Sequence, residues 1–373
     1  MKRLPAFFTP LLLLYLLVSC QKRINDRDMY LPATGPALQE TPAAQVLPPA
    51  VIHAVGWETV GSEVAAARYW KNGSAVPFLN DPLTPSKAGG IALSGSIPYV
   101  SFYQDNSNRA SYWRNGNIVL LGDGQKKTMA ANIALSGNEV YVPGLERVDN
   151  SYNSIARYWK NGVAVNLSSG LTRAAANDIA IVVQTAIIGG HPVSVKTIYA
   201  AGKEDITPDN ANYNMTARYW KNGTAVSLTN GQNDAEALAI FVAGTDTYVA
   251  GWESTAAGKH VAKYWKNGIP VNLTNGSSFA EAHAITVVDG VVYVAGYEYN
   301  NASGRSVAKY WKNGIAVNLA SALQHSRANA ITMVKDNVYT GGSFNGFPAY
   351  WKNGVLTLLN ASVIGECTDI AVE

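Results

Sequence analysis

The stretch from residue 306 to residue 319, SVAKYWKNGIAVNL, contains the pattern that decides the fold. Its central part is Tyr-Trp followed by Lys or Arg and then Asn-Gly. This motif occurs seven times, at Trp70, Trp113, Trp159, Trp220, Trp265, Trp311 and Trp351. The copies are separated by 43, 46, 61, 45, 46 and 40 residues. Repeats of about 40–50 residues are typical of propellers and solenoids.

One repeat, residues 280–319, contains four runs with the composition of β-strands. They are A (residues 282–288), B (291–298), C (306–312) and D (315–319). Asn-Gly joins C to D in every copy, and it is a strong hairpin signal because both central residues of a type I′ turn need positive φ. Four short strands joined by tight turns predict one blade of a β-propeller.

Strand composition fits this arrangement. Strands near the axis are crowded and should carry small residues, whereas the Tyr-Trp pairs of strand C supply bulk where the outer strands diverge. Alanine recurs three positions before isoleucine in strand A, at Ala88, Ala130, Ala176, Ala237, Ala282 and Ala328.

The two ends of the repeat region predict how the ring closes. Residues 51–58 (VIHAVGWE) form a B strand with no A strand before it, and residues 367–372 (CTDIAV) form an A strand with no B strand after it. We therefore predict an all-β fold, a seven-bladed β-propeller with four antiparallel strands per blade, closed by the C-terminal strand completing the first blade. Closure removes the exposed sheet edge. A solenoid, the alternative, would not need such a split unit.

Over residues 50–373 the repeat resembles the extracellular HAF-type repeats of bacterial surface proteins, with their aromatic-Trp-x-x-Gly hairpin. It is more loosely similar to kelch and WD propellers, but it lacks the Trp-Asp and Gly-His signatures of WD repeats. The resemblance implies an architecture and no catalytic residue.

The N-terminal residues predict where the protein is targeted. Lys2 and Arg3 precede an apolar run, residues 7–18, that is too short to span a bilayer and is typical of a signal peptide. Its ending, Leu-Val-Ser-Cys at 17–20, resembles the bacterial lipoprotein box, which implies lipidation of Cys20 and cleavage before it. An ordinary secretory signal is the alternative. Gln21 is not the Asp that by the same resemblance retains lipoproteins in the inner membrane, so we expect the outer membrane, with the side left open.

We therefore expect three parts: a signal peptide (1–19), the lipidated Cys20 with a flexible polar tether (20–48), and the propeller (49–373). Without residues 1–19 the formal charge falls from +3 to +1, since Lys2 and Arg3 are lost and no acid is. A nearly neutral chain disfavours nucleic-acid binding. Two cysteines exclude a disulfide framework and a Cys-based zinc site. No phosphate loop, metal-ligand pair or nucleophile elbow is present, and we expect no cofactor, no metal and no catalytic residue.

Strand direction gives the ring two faces. The lower face carries the A–B and Asn-Gly turns, which we expect to be tight and uniform, and the upper face carries the longer B–C and D–A connections. Function usually lies on the variable loops of a rigid scaffold. Seven polar residues, four or two positions before the isoleucine of strand A, should surround the upper mouth of the channel: Lys87, Asn177, Glu236, Glu281, His283, Arg327 and Asn329. Among the five histidines, His283 alone is expected there. These residues could bind a ligand or merely solvate a wet channel.

Two further sets of charges recur. Five B strands end in a glutamate: Glu58, Glu146, Glu204, Glu253 and Glu298. These acids could face a sugar or pair with the recurrent cation of strand C. Their recurrence at the same position of each repeat favours the ion pair. The basic residues before each Asn-Gly are Lys71, Arg114, Lys160, Lys221, Lys266, Lys312 and Lys352. They should surround the lower rim, where they could contact lipid phosphates or simply aid solubility.

We predict a lipid-anchored binding or interaction protein of the cell envelope that uses the loop-rich top face. A glycan or an envelope protein is the expected partner, the membrane is reached through the anchor, nucleic acid is not expected, and the chain should be a monomer. Two alternatives stay open. One is an envelope polysaccharide-active enzyme, a glycosidase or lyase, with acids at the channel mouth. The other is a purely structural component, whose top face would have no pocket.

Overall fold

The computed structural model describes residues 49–61, 64–79, 84–104, 109–148, 151–189, 191–206 and 214–373. Within these ranges the chain forms strands and turns and no helix. The described residues therefore contain no helix that could cross a membrane. The predicted signal peptide, Cys20 and the tether lie outside the described residues.

Seven antiparallel sheets form a ring of blades, each with its strands ordered A, B, C, D from the axis outward. Blade 1 contains β29 (Gly365–Val372), β1 (Ile52–Val60), β2 (Val64–Lys71) and β3 (Ser74–Val76); blade 2 contains β4 (Ser86–Ser94), β5 (Ile97–Gln104), β6 (Arg109–Arg114) and β7 (Asn117–Leu120); blade 3 contains β8 (Thr128–Ala130), β9 (Ala134–Ser136), β10 (Glu139–Arg147), β11 (Ser154–Lys160) and β12 (Val163–Asn166); blade 4 contains β13 (Ala174–Ile188), β14 (His191–Asp205), β15 (Met215–Lys221) and β16 (Thr224–Ser227).

The remaining blades follow the same order. Blade 5 contains β17 (Ala235–Ala243), β18 (Asp246–Ser254), β19 (His260–Lys266) and β20 (Ile269–Asn272); blade 6 contains β21 (Ala280–Val288), β22 (Val291–Asn300), β23 (Arg305–Lys312) and β24 (Ile315–Asn318); blade 7 contains β25 (Ser326–Val334), β26 (Asn337–Phe344), β27 (Phe347–Lys352) and β28 (Val355–Leu358). In blade 3 the A position is divided between β8 and β9, which both pair with β10. The strands predicted for the sixth repeat agree with β21–β24 to within two residues.

The ring closes as predicted. The C-terminal β29 pairs antiparallel with β1, from Ile52 opposite Val372 to Glu58 opposite Gly365. Two backbone hydrogen bonds between Val51 and Glu373, of 2.8 and 3.0 Å, continue the pairing. The unit from Pro49 to Glu373 therefore contains the complete ring and its core.

The Tyr-Trp pairs fill the spaces between blades. Trp311 of blade 6 is fully buried against Ala239 and Tyr248 of blade 5, whereas Tyr310 packs on the other side, against blade 7. Successive side chains of a strand point to opposite faces, so one aromatic pair stabilises two blade interfaces. The Asn-Gly turns have the predicted geometry, with φ of 48° at Asn313 and 82° at Gly314.

A bulge in strand A aims side chains into the channel. Opposite Gly296 and Ala295 of strand B, strand A carries one additional residue between Ala282 and Ala284, and the same register shift occurs in other blades. A Cβ at Gly296 would lie 1.9 Å from the carbonyl oxygen of Glu281, so this close approach requires glycine. Bulges commonly redirect side chains beside functional sites.

One expectation for the lower face was wrong. The A–B hairpin of blade 4, made by β13 and β14, has strands of 15 residues, whereas the other A–B hairpins in the described part of the chain have strands of at most 10. The six additional cross-strand pairs run from Val183 opposite Lys196 to Ile188 opposite His191. The hairpin therefore projects beyond the lower rim by roughly 20 Å, at about 3.4 Å per residue.

Candidate functional site

A cavity of about 410 Å³ occupies the upper mouth of the channel. It is lined by Glu236, Leu238, Trp252, Glu281, His283, Arg327, Asn329, Glu366 and Thr368, from blades 5, 6, 7 and 1. Five of the seven residues predicted for the mouth are in this set. Asn177 lies deeper, in a cavity of about 270 Å³ along the axis. Lys87 lines neither cavity, and its Nζ lies 4.7 Å from the centre of the Trp57 ring of blade 1.

Glu281 is held between two histidines. Its Oε1 lies 2.9 Å from Nδ1 of His260, and its Oε2 lies 2.9 Å from Nε2 of His283. Burial disfavours the charged carboxylate, but the hydrogen bonds to His260 and His283 outweigh burial and hold the pKa of Glu281 well below its ordinary value. Glu281 is therefore a fixed, ionised acceptor at the mouth.

The ring of His283 continues this network into the next two blades. Its Nδ1 lies 3.0 Å from Oδ1 of Asn329, whose Nδ2 donates to Oε1 of Glu366 at 2.8 Å and to the carbonyl oxygen of Cys367 at 3.0 Å. The two bonds from Nδ2 fix the orientation of the Asn329 amide. Both ring nitrogens of His283 then face side-chain oxygens, of Asn329 and Glu281.

A second carboxylate is fixed in the same way. Asn177 donates to Oε1 of Glu236 at 2.9 Å and to the carbonyl oxygen of Ala237, and Lys203 donates to Oε2 of Glu236 at 2.9 Å. The amides of Asn177 and Asn329 therefore have one structural role, because each ties its own blade to the A strand of the next. Both residues also line the cavity along the axis of the ring.

Arg327 differs from the other charges at the mouth. Its guanidinium lies 4.7 Å from the centre of the Tyr297 ring, and in the described part of the chain no carboxylate lies within ion-pair distance of it. Its Nε is buried and has no hydrogen-bond partner there. Arg327 thus brings to the wall of the cavity a guanidinium that is not neutralised by a described carboxylate.

Trp252 completes the aromatic part of the wall. The His260 ring stacks on it with centres 3.7 Å apart, so one face of the indole is covered. His260 was not expected at the mouth, and the prediction that His283 alone projects there was wrong. His260 contacts Glu281 from strand C of the preceding blade. The prediction used only positions relative to the isoleucine of strand A, so it could not find a residue on strand C.

Two buried aspartates line the deeper cavity. Asp178 accepts hydrogen bonds from the Asn132 amide and from the backbone N–H groups of Ile179 and Ile240, each at 2.8 Å. Burial raises the pKa of Asp178 to about 6 and that of Asp369 to about 7, against several backbone hydrogen bonds that lower it. The charge of Asp178 raises the pKa of Asp369 further.

Sequence reasoning also missed Glu366, Thr368, Asp178 and Asp369. Glu366 and Thr368 stand four and two positions before Ile370, the phase used for the other blades, so the same rule would have found them. The aspartates stand one position before the isoleucine, where blade 3 has Asn132 and the remaining blades have Ala or Gly. In the described ranges, no three His, Cys, Asp or Glu side chains lie close enough to hold a metal ion.

The acids at the ends of the B strands belong to the scaffold. Glu58 pairs with Arg68 at 2.9 Å and Glu298 with Lys309 at 2.6 Å. The same pair joins Glu146 to Arg157, Glu204 to Arg218 and Glu253 to Lys263. The favoured interpretation, an ion pair with the cation of strand C, is confirmed.

No family model matches the chain, and no curated protein sequence matches it significantly. The likeness to HAF-type and kelch-type repeats therefore stays a prediction.

Solved structures resemble the chain in fold alone. A puromycin-hydrolysing peptidase of Mycobacterium tuberculosis is 12% identical, with a TM-score of 0.52 over 82% of this chain and 53% of that one. An acylaminoacyl peptidase of Pyrococcus horikoshii is 12% identical, with a TM-score of 0.49 over 83% and 50%. A sialidase of Trypanosoma rangeli is 6% identical, with a TM-score of 0.41 over 84% and 57%. The chain spans about half the length of the two peptidases.

Proposed function

We propose that the protein is a lipid-anchored binding protein of the bacterial outer membrane that takes a saccharide at the upper mouth of its propeller. The observation that carries this proposal is the convergence of polar residues from four blades on one cavity of about 410 Å³. These residues differ from blade to blade, whereas the scaffold residues recur in phase. A purely structural protein would not need such a cavity.

The chemistry of the cavity suits a ligand rich in hydroxyl groups. Glu281 and Glu236 are held as oriented acceptors, while the guanidinium of Arg327 supplies donors. Trp252 gives an apolar wall beside them. A few convergent polar groups on an apolar wall are typical of small-ligand sites, and hydroxyl groups can use acceptors and donors together.

Binding is favoured over catalysis because Glu281 and Glu236 are held as hydrogen-bond acceptors by their neighbours. A glycosidase needs one carboxyl group that carries a proton near neutral pH. The pKa of Glu281 is lowered, and Glu236 is ion-paired to Lys203. Among the described mouth residues, a proton could come from the ring of His283. An enzyme acting on polysaccharide therefore remains an alternative that rests on that residue.

A partner protein of the envelope is the second candidate. Tyr152, Leu171 and Leu323 are exposed apolar side chains on the upper connections. Contiguous apolar exposure marks interaction surfaces, but these three come from separate connections, which is less favourable than one patch.

A glycan array tests the saccharide site. The unit 49–373 is applied to an array of envelope polysaccharides and oligosaccharides, and any hit is repeated with Glu281→Ala and His283→Ala. Asp336→Ala, an exposed carboxylate on the lower face, is the matched control. Binding lost in the first two variants and kept in the control supports the proposal. A blank array overturns it and directs the search to envelope proteins by crosslinking in cells.

The anchor is tested separately. Incorporation of labelled palmitate into the full chain should be abolished by Cys20→Ser, and membrane fractionation should place the wild-type protein with outer-membrane markers. Labelling that survives Cys20→Ser contradicts the lipoprotein interpretation. Digestion of intact cells with protease then determines the side of the membrane.

A further inference from the structure

The lower face, defined here as the A–B and Asn-Gly turns of all blades, carries basic residues in a fixed arrangement. Six of the seven predicted residues lie over the strand-B tyrosine of their own blade, with distances of 5.0–5.7 Å to the ring centre. Lys160 pairs with Glu139 and Lys266 with Asp246. Lys221, Lys312 and Lys352 have no carboxylate within ion-pair distance among the described residues. The scaffold thus fixes these cations and leaves their charge available.

Exposed aliphatic side chains accompany the lysines. Val163, Ile269, Ile315 and Val355 follow directly after Asn-Gly, and 69–73% of their surface is exposed. Each stands opposite the lysine of its own turn, as Ile315 does with Lys312. Ser74, Asn117 and Thr224 occupy this position in the other three blades, so the scaffold does not require an aliphatic residue there.

The projecting hairpin of blade 4 adds more aliphatic surface on the same face. Val183, Ile187, Val193 and Val195 of this hairpin are 40–70% exposed. Lys196 of the hairpin pairs with Glu139 at the base of blade 3, which fixes its direction. Long exposed strand edges are normally avoided in soluble proteins, so this one requires a partner or a surface to cover it.

The chain also joins the propeller on this face. At the start of β1, the N–H of Ile52 donates to Oδ1 of Asn72, and the N–H of Asn72 donates to the carbonyl oxygen of Ile52, both at 2.8 Å. Asn72 belongs to the Asn-Gly turn of blade 1. The chain therefore enters the propeller at the lower face, and Cys20 precedes this entry point in the sequence.

We propose that the lower face docks on the surface of an anionic phospholipid bilayer, with its lysines against headgroup phosphates and its aliphatic tips in the interfacial layer. A cation beside an exposed aliphatic residue, repeated around the rim, fits a lipid surface, because both kinds of group bind there. A second copy facing this surface would present the same unpaired lysines and be repelled. The inference concerns the face opposite the mouth and does not depend on the saccharide site.

Vesicle co-sedimentation tests the docking surface. The unit 49–373, which contains the whole ring and lacks Cys20, is mixed with vesicles of phosphatidylcholine alone or with added phosphatidylglycerol. We expect binding to the anionic vesicles and loss of binding at high salt. Replacing Lys312 and Lys352 by Gln should weaken binding about 25-fold, since each lysine near an anionic surface is worth about fivefold. No binding to the anionic vesicles overturns the proposal.

The aliphatic contribution has a matched control. The triple variant Ile269→Ser, Ile315→Ser and Val355→Ser should bind about tenfold more weakly or worse, because it removes apolar area from the interface. The control replaces Leu171, Leu323 and Ile364 by Ser, three residues of the upper connections that are 59–77% exposed. Equal loss in both variants, or no loss in the first, contradicts the inference. Sedimentation velocity of the free proteins shows whether a second copy covers the face instead, which would also overturn it.

Discussion

Asp369 of blade 1 accepts a hydrogen bond of 2.8 Å from the backbone N–H of Ile91 in blade 2. Its other oxygen accepts from the N–H of Ile370. A carboxyl group on the closing strand thus satisfies a backbone donor of the next blade inside the channel. The cost is a buried acid, which is reflected in its raised pKa.

The buried aspartates predict a pH-dependent stability. Unfolding returns the pKa of Asp369 from about 7 to about 3.8, so the folded state binds more protons between these values. The stabilising effect of this carboxyl group is complete below about pH 4 and is lost as the pH rises through 7. Asp369→Asn cannot ionise, and Asn132 shows that Asn fits the equivalent position of blade 3. Relative to wild type, its free energy of unfolding should therefore rise by about 2–4 kcal/mol between about pH 4 and 8.

Urea denaturation across this pH range measures that difference. Asp336→Asn, at an exposed turn, serves as the control and should follow wild type at every pH. A difference between Asp369→Asn and wild type that does not change with pH would show that the carboxyl group is ionised in the folded protein.

Glu281 predicts the opposite pH dependence. Because its pKa is lowered in the folded state, its stabilising effect is present above the unfolded value of about 4.5 and is lost as the pH falls below it. Glu281→Gln should cost about 1–3 kcal/mol near pH 7 and less near pH 3. Urea denaturation at the two pH values measures this. A double-mutant cycle with His283→Gln should give a coupling of about 1 kcal/mol, and zero coupling would refute the contact.

Gly296 predicts a steric requirement at the bulge. Gly296→Ala would place a Cβ 1.9 Å from the carbonyl oxygen of Glu281, a backbone atom that cannot move without opening the blade. We expect a loss of about 3 kcal/mol or more in the free energy of unfolding. Ala316→Gly, on an exposed strand, should cost about 1 kcal/mol or less. If the two variants unfold at the same urea concentration, the close approach is not as described.

Cys367 predicts a protected thiol. It is fully buried, and burial raises the pKa of the thiol well above its ordinary value. In the unit 49–373, where Cys367 is the one cysteine, a maleimide reagent should react slowly with the folded protein and rapidly in urea. Rapid reaction under native conditions would mean that the closing strand detaches from the ring.

The fold was predictable because its signals repeat. The Asn-Gly turn marks the junction of strands C and D in all seven blades, and the Ala–Ile spacing marks strand A. Because each signal recurs at a fixed place in the blade, the number of blades does not depend on any one copy. The hairpin of blade 4 was missed because its added residues follow no repeat. The 61-residue spacing shows that this repeat is longer than the others, but it does not show which strands are lengthened.

The only mouth residues that could be predicted were those whose position relative to the isoleucine of strand A places them at the axis. Glu281 and His283 follow from their positions before Ile285. That His260 stacks on Trp252 and contacts Glu281 depends on which rotamers fit across a blade boundary, and sequence spacing does not encode this. The orientation of the Asn329 amide likewise comes from two acceptors in the neighbouring blade.

The pairing of β29 with β1 has a consequence for the order of events during biogenesis. The first blade lacks its inner strand until the last eight strand residues, Gly365–Val372, are available. A nascent chain can form hairpins early, but its ring stays open until this strand has been synthesised. The ring is thereby kept from closing before its last strand is available.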